Sequence, residues 1–166
     1  LETKDLLLRI SEEQYGEKFR DHYLEIYKTY VVSADKISER RQTANSFFLS
    51  INTAIIGLVS YFQAGSNEKK FLEFHLLVSI SGILVCYMWH RLVIAYKQIN
   101  TGKFNVIHQI EQKLPLSPYD AEWEVLGRGQ DPKKYNPFTH VEMLVPLVFL
   151  GLHGFVLLKV VLKLAS

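Results

Sequence analysis

The residues able to carry chemistry are few and scattered. Six histidines, His22, His75, His90, His108, His140 and His153, and one cysteine, Cys86, are spread over 166 residues. No pair shows the HExxH spacing or another metal-ligand signature. A lone cysteine excludes an intramolecular disulfide framework and a cysteine-based zinc site. There is no GxSxG elbow. Glu122 and Glu124 are close in sequence, but residues two apart on a helix do not face each other. Leu126-Gly127-Arg128-Gly129 has the glycines of a phosphate loop without its strand or its lysine–serine/threonine ending. Nothing here assembles into an active site, so the sequence reads as that of a protein without enzymatic activity, metal or cofactor. His153 stands apart. It lies near the centre of an apolar run, where an ionisable side chain is a functional-site candidate.

The polar residues with the clearest spacing lie in another apolar run. Ala44 to Phe62 carries no charge. At ~1.5 Å per helical residue it is long enough to cross a hydrocarbon core of ~30 Å. At 100° per residue, Asn45, Ser46, Ser50, Asn52, Thr53, Gly57 and Ser60 share one broad arc, opposite Phe47, Phe48, Ile51, Ile55 and Leu58. Small residues at spacings of three and four let helix backbones approach in lipid. The arc has two readings: a packing seam, or a lumen face with Asn45 and Asn52 one heptad apart. The spacing alone favours packing.

A second apolar run extends from Phe71 to about Trp89. It carries its own small seam, Ser79, Gly82 and Cys86, between His75 and His90. The polar connection Gln63 to Lys70 is short, so the two runs are expected to zip as an antiparallel hairpin. Ser46, Ser50, Thr53 and Gly57 would then face Ser79, Gly82 and Cys86. A third apolar run, Val141 to about Val161, completes the set, with Thr139 and Glu142 spaced as a capping box and Pro146 placed to kink its first turns.

The flanks are helical too. Ser11 and Gln14 are spaced as a capping box. From there Phe19, Tyr23, Ile26, Tyr30, Ala34 and Ile37 recur at three and four residues. With Gly16 as the only early weak point, the helix is expected to run unbroken into the first span. After the second span, Tyr96, Ile99, Phe104, Ile107, Ile110 and Leu114 continue a helical stripe through Gly102. The two stripes are expected to pair as a stalk. Pro115, Pro118, Pro132 and Pro137 then divide the chain into short pieces. Ser117-Pro118 reads as an N-cap with proline at N1, opening a short helix through Trp123. Trp123, Tyr119 and Tyr135 make this piece an ordered one that packs on the stalk or on a neighbouring subunit.

Composition agrees with a membrane protein. Hydrophobic residues make up 48% of the chain, charged residues 22%, and the charges are segregated around the apolar runs. The net charge of +2 comes without a basic cluster suited to nucleic acid. No cleavable signal peptide is visible, since the first apolar run lies too deep and is too long. Lys28, Lys36, Arg40 and Arg41 precede the first span. Arg91, Lys97, Lys103, Lys113, Arg128, Lys133 and Lys134 lie between the second and third. The positive-inside rule places both parts in the cytoplasm and Ser66 outside. The expected fold is therefore an all-α membrane protein: a cytoplasmic amphipathic helix over residues 1–43, a transmembrane hairpin over 44–96, a cytoplasmic helix and Pro-rich segment over 97–140, and a third transmembrane helix over 141–166.

Two passages carry a family likeness. One is Arg41-Gln42-Thr43-Ala44-Asn45-Ser46-Phe47-Phe48-Leu49-Ser50-Ile51-Asn52-Thr53-Ala54. The other runs from Pro118-Tyr119-Asp120-Ala121-Glu122-Trp123-Glu124 through Leu126-Gly127-Arg128-Gly129 to Tyr135-Asn136-Pro137-Phe138-Thr139-His140-Val141-Glu142. Together they resemble the bacterial RipA-type octameric membrane protein family, over roughly Tyr23 to Phe149. The resemblance implies a homo-octamer in the bacterial cytoplasmic (inner) membrane and no catalytic residues. The layout is also similar to the two-span SLATT effectors of bacterial conflict systems, by architecture only. The function expected is a ring-forming membrane assembly that conducts ions or small solutes. The alternative is a non-conducting scaffold that organises lipids or partner proteins.

Overall fold

The computed structural model describes residues 7–62 and 68–165. Among these the chain is all helical: α1 (Glu12–Tyr15), α2 (Phe19–Phe62), α3 (Glu68–Glu111), α4 (Pro118–Val125), a short turn at Gly127–Gly129, and α5 (Phe138–Ala165). Three of these helices, α2, α3 and α5, are long and apolar enough to cross a membrane. The connection expected at Gln63 to Lys70 falls largely outside the described residues, Ser66 included, and α3 already begins at Glu68.

The chain divides into two compact units. The first comprises Leu1–Glu39 and Gln98–Asn136, the second Arg40–Lys97 and Pro137–Ser166. The helices α2 and α3 contribute to both.

In the first unit the Ser11–Gln14 capping box forms as expected. The helix does not run on. Gly16 ends α1 at φ +91°, where a side chain would be strained, and α2 starts afresh at Phe19. From Phe19 the helix is continuous to Phe62, and α3 passes through Gly102 without interruption. Ala34, Ile107, Ile110 and Glu111 form the buried interior. The stripes differ from expectation at two places. Ile26 and Ile99 are exposed, and Tyr27 turns inward in place of Ile26. The inward arc of α2 is centred between Tyr23, Tyr27, Tyr30 and Ala34, and Ile26 lies too far round it to reach the interior.

In the second unit, α3 buries His75, Ser79, Gly82, Cys86, Trp89 and Val93. Their spacing alternates four and three, the period of a helix seam that keeps facing its partners. Asn52 from α2 and Pro146, His153 and Val160 from α5 complete the buried set. Pro146 lies inside a continuous α5, and its ring nitrogen leaves the Glu142 carbonyl without the usual helical donor. The Thr139–Glu142 capping box does not form. The helix already begins at Phe138, so Thr139 lies inside it, and the Glu142 carboxylate is engaged elsewhere.

Candidate functional site: two asparagine bridges in the apolar helices

Each asparagine of α2 joins α3 to α5. The Trp89 indole N–H donates to Asn45 Oδ1 at 2.8 Å, and Asn45 Nδ2 donates to Glu142 Oε1 at 2.9 Å. Arg41 Nε lies 3.5 Å from the same carboxylate oxygen. Stacking between Trp89 and Phe48, with ring centroids 5.9 Å apart, and a tilted contact with Phe149 at 6.2 Å hold the indole in place. Such an N–H is satisfied when buried, as tryptophan generally requires.

One heptad further along, Asn52 repeats the arrangement. Its Oδ1 accepts from the Cys86 thiol at 3.2 Å and lies 3.1 Å from His153 Nε2, while its Nδ2 donates to the Phe48 carbonyl at 2.8 Å. An oxygen that accepts from His153 fixes the tautomer assigned from this network: Nε2 carries the proton and Nδ1 faces Gly82. Only glycine fits at position 82, because a Cβ there would overlap the His153 ring. The neighbouring Ser79 hydroxyl donates to the His75 carbonyl at 2.7 Å. The Asn52 amide, the Cys86 thiol and His153 Nε2 are therefore each paired, which is what burial among apolar side chains demands.

The remaining residues of the arc are placed differently. Ser46, Ser50, Thr53 and Gly57 are exposed on the chain, and among the described residues no atom of another helix lies within 4 Å of a Cβ built at Gly57. They do not face Ser79, Gly82 and Cys86. The hydroxyls bond back along their own helix, Ser50 to the Ser46 carbonyl, Thr53 to Leu49 and Ser60 to Ile56. A hydroxyl satisfied in this way needs no second helix. The arc thus splits into two asparagines directed inward and a row of small residues directed outward. Among the described residues no cluster of three or more His, Cys, Asp or Glu could hold a metal.

The first unit has its own polar centre, which the sequence did not disclose. Glu111 is buried and closes α3. One oxygen accepts from the Tyr27 hydroxyl at 2.8 Å and from the Tyr119 amide at 3.1 Å, and the other accepts from the Asp120 amide at 3.0 Å. Ser117, expected to cap α4, makes no side-chain cap bond. A carboxylate from another helix does that work, and a helix N-terminus favours it electrostatically. Burial first, and then the Glu111 carboxylate, push the Tyr27 hydroxyl well above the usual phenol range.

The expected interface aromatics are also placed. Tyr119 packs on Phe104 at 5.7 Å, and Trp123 meets Tyr135 edge-on at 6.0 Å and lies against Gly129. All three are half-buried within their own unit. Gly127, Arg128 and Gly129 each have positive φ, 67°, 50° and 69°, and form a left-handed turn closed by Gln130 N–H on the Gly127 carbonyl. The Arg128 guanidinium pairs with Glu124 and Asp120. The phosphate-loop likeness of this segment thus reduces to a turn whose cation is already engaged.

A family model for octameric membrane proteins (8xMP) matches residues 24–162. The chain belongs to the octameric membrane protein family. No curated protein and no solved structure matches it. The match spans both asparagine bridges, the Glu111 centre and all of α4. The family's description makes its members octameric, and the three long apolar helices make the bilayer the setting.

Proposed function

We propose that this chain is the subunit of a homo-octameric ring in the bacterial cytoplasmic membrane, and that the ring encloses a path for ions or small solutes lined by Ser46, Ser50, Thr53 and Gly57. The role is one of passage and not of catalysis. One observation carries the reading. Asn45, Asn52, Cys86, Trp89 and His153 are consumed inside the subunit, whereas the row of hydroxyls stays exposed along an otherwise apolar helix. A hydroxyl that donates to its own helix keeps acceptor capacity, so a row of them can be wetted or can contact a passing cation. Closed cyclic symmetry would bring eight such rows around one axis. The excess of Lys and Arg before the first span and between the second and third supports a cytoplasmic N-terminus and first unit.

The second reading makes the same row the contact between neighbouring subunits of a non-conducting scaffold. The open surface at Gly57 favours it, because small residues let helices of different chains approach closely.

Flux through reconstituted protein separates the two. In the conducting ring, Ser50→Leu with Thr53→Leu leaves the octamer intact by native mass and abolishes solute release from loaded vesicles. Loss of the octamer in this variant assigns the row to subunit packing. Parent protein that forms octamers and releases nothing would overturn conduction.

A further inference from the structure

Among the described residues of the first unit the two most exposed large apolar side chains are Leu116 and Val125, at 78% and 75%. They sit at either end of α4. On an eight-residue helix with Tyr119 and Trp123 turned inward, Pro118, Ala121, Glu122 and Val125 share the outer face, and the structure leaves all four exposed. This is an apolar strip on a charged unit, with one carboxylate beside it. Glu122 forms no ion pair among the described residues, whereas its neighbours Asp120 and Glu124 are taken by Arg128.

The first unit also carries the complement. Along α2, Ile26 and Thr29 are exposed, and Lys36 continues the same face without an ion pair among the described residues. Ile26, Thr29 and Lys36 lie within about 80° of one another on the helix, with Ser33, half-buried and accepting from Lys103 Nζ at 2.8 Å, near the inner edge of that face. Both surfaces belong to every copy, and they are different surfaces. A contact between unlike patches of identical chains is heterologous and closes into a ring when its rotation allows.

We infer that the outer face of α4, with Leu116, Val125 and Glu122, docks on the Ile26–Thr29–Lys36 face of α2 in a neighbouring copy of this chain, so that Glu122 meets the Lys36 ammonium. The inference rests on the octameric reading and supplies its contact outside the apolar helices. It also accounts for Ile26, which a stalk stripe alone would have buried.

The test uses the full chain in mild detergent. Val125→Asp is expected to reduce the octamer to smaller species by native mass, with helical content unchanged by circular dichroism. Glu122→Lys and Lys36→Glu are each expected to weaken the octamer at least tenfold by dilution, and their combination in one chain to restore it. Misfolding does not reverse on combining two charge changes, so rescue supports the pairing. An octamer that persists in Val125→Asp, or a combined variant no better than its parents, overturns the inference. Unaltered protein that is not octameric would instead remove the ring reading on which it rests.

Discussion

Asn52→Leu is expected to unfold the second unit, not to close a channel. Leucine has similar volume and would suit an apolar helix on propensity alone. Its cost lies in what it leaves behind. The Cys86 thiol and His153 Nε2–H both end on Asn52 Oδ1, and all three residues are buried. Each donor left without a partner costs about 1–3 kcal/mol, the imidazole more than the thiol. Two such losses are a large share of the ~5–15 kcal/mol that holds a typical domain together. Thermal unfolding in detergent should show the transition shifted well below that of the parent, with loss of assembly following loss of fold. An Asn52→Leu protein as stable as the parent but without flux would show that this side chain faces a lumen.

The second large effect is expected at Gly82, and none at Gly57. Both are small residues in apolar helices, and the sequence gives no reason to separate them. The structure does. At Gly82 a methyl group would overlap the ring of His153, which cannot retreat without releasing Asn52. Gly82→Ala should therefore destabilise the unit by the ~1–3 kcal/mol typical of overpacking, despite alanine's better helix propensity. Among the described residues no other helix comes within 4 Å of the corresponding position at Gly57. Gly57→Leu should leave the stability of the isolated subunit within ~0.5 kcal/mol of the parent. Unfolding midpoints for the two variants, measured side by side, check the contrast. Equal destabilisation would mean that both glycines face a helix of their own chain.

These contrasts show what could be read in advance. Three apolar runs of spanning length, the capping box at Ser11, proline at the first position of α4 and the seam of α3 follow from composition and period, and the structure contains them. The polar arc of α2 is too broad to be one face. At about 100° per residue Asn45 and Asn52 share one edge of it and the small residues, Thr53 included, the other, and the first edge is turned inward and the second exposed. A serine or threonine can return its proton to its own helix, so its presence does not reveal which way it points. An asparagine has donor and acceptor capacity to spare and is better suited to bridge helices. Ile26 misled for a related reason. Hydrophobicity placed it inward, but Tyr27, one position on, has both the ring to fill the interior and the hydroxyl that Glu111 accepts. Glu111 itself left no local signal, because its partners at Tyr27, Tyr119 and Asp120 lie far away in sequence or across a proline turn. Glu142 was legible only as one half of a cap, and its actual partners, Arg41 and Asn45, are a whole hairpin away.

The outward direction of the hydroxyl row is the point on which the functional reading turns, and thiol labelling reaches it most directly. In a Cys86→Ser background, which keeps a hydroxyl to donate to Asn52, single cysteines at Ser50, Thr53 and Leu58 are exposed to a membrane-impermeant methanethiosulfonate in reconstituted vesicles. The conducting ring requires Ser50→Cys and Thr53→Cys to react and to lose flux on reaction, while Leu58→Cys, exposed about 140° round α2 from Thr53, stays unmodified. Inert cysteines at both Ser50 and Thr53, with flux unchanged, would contradict it.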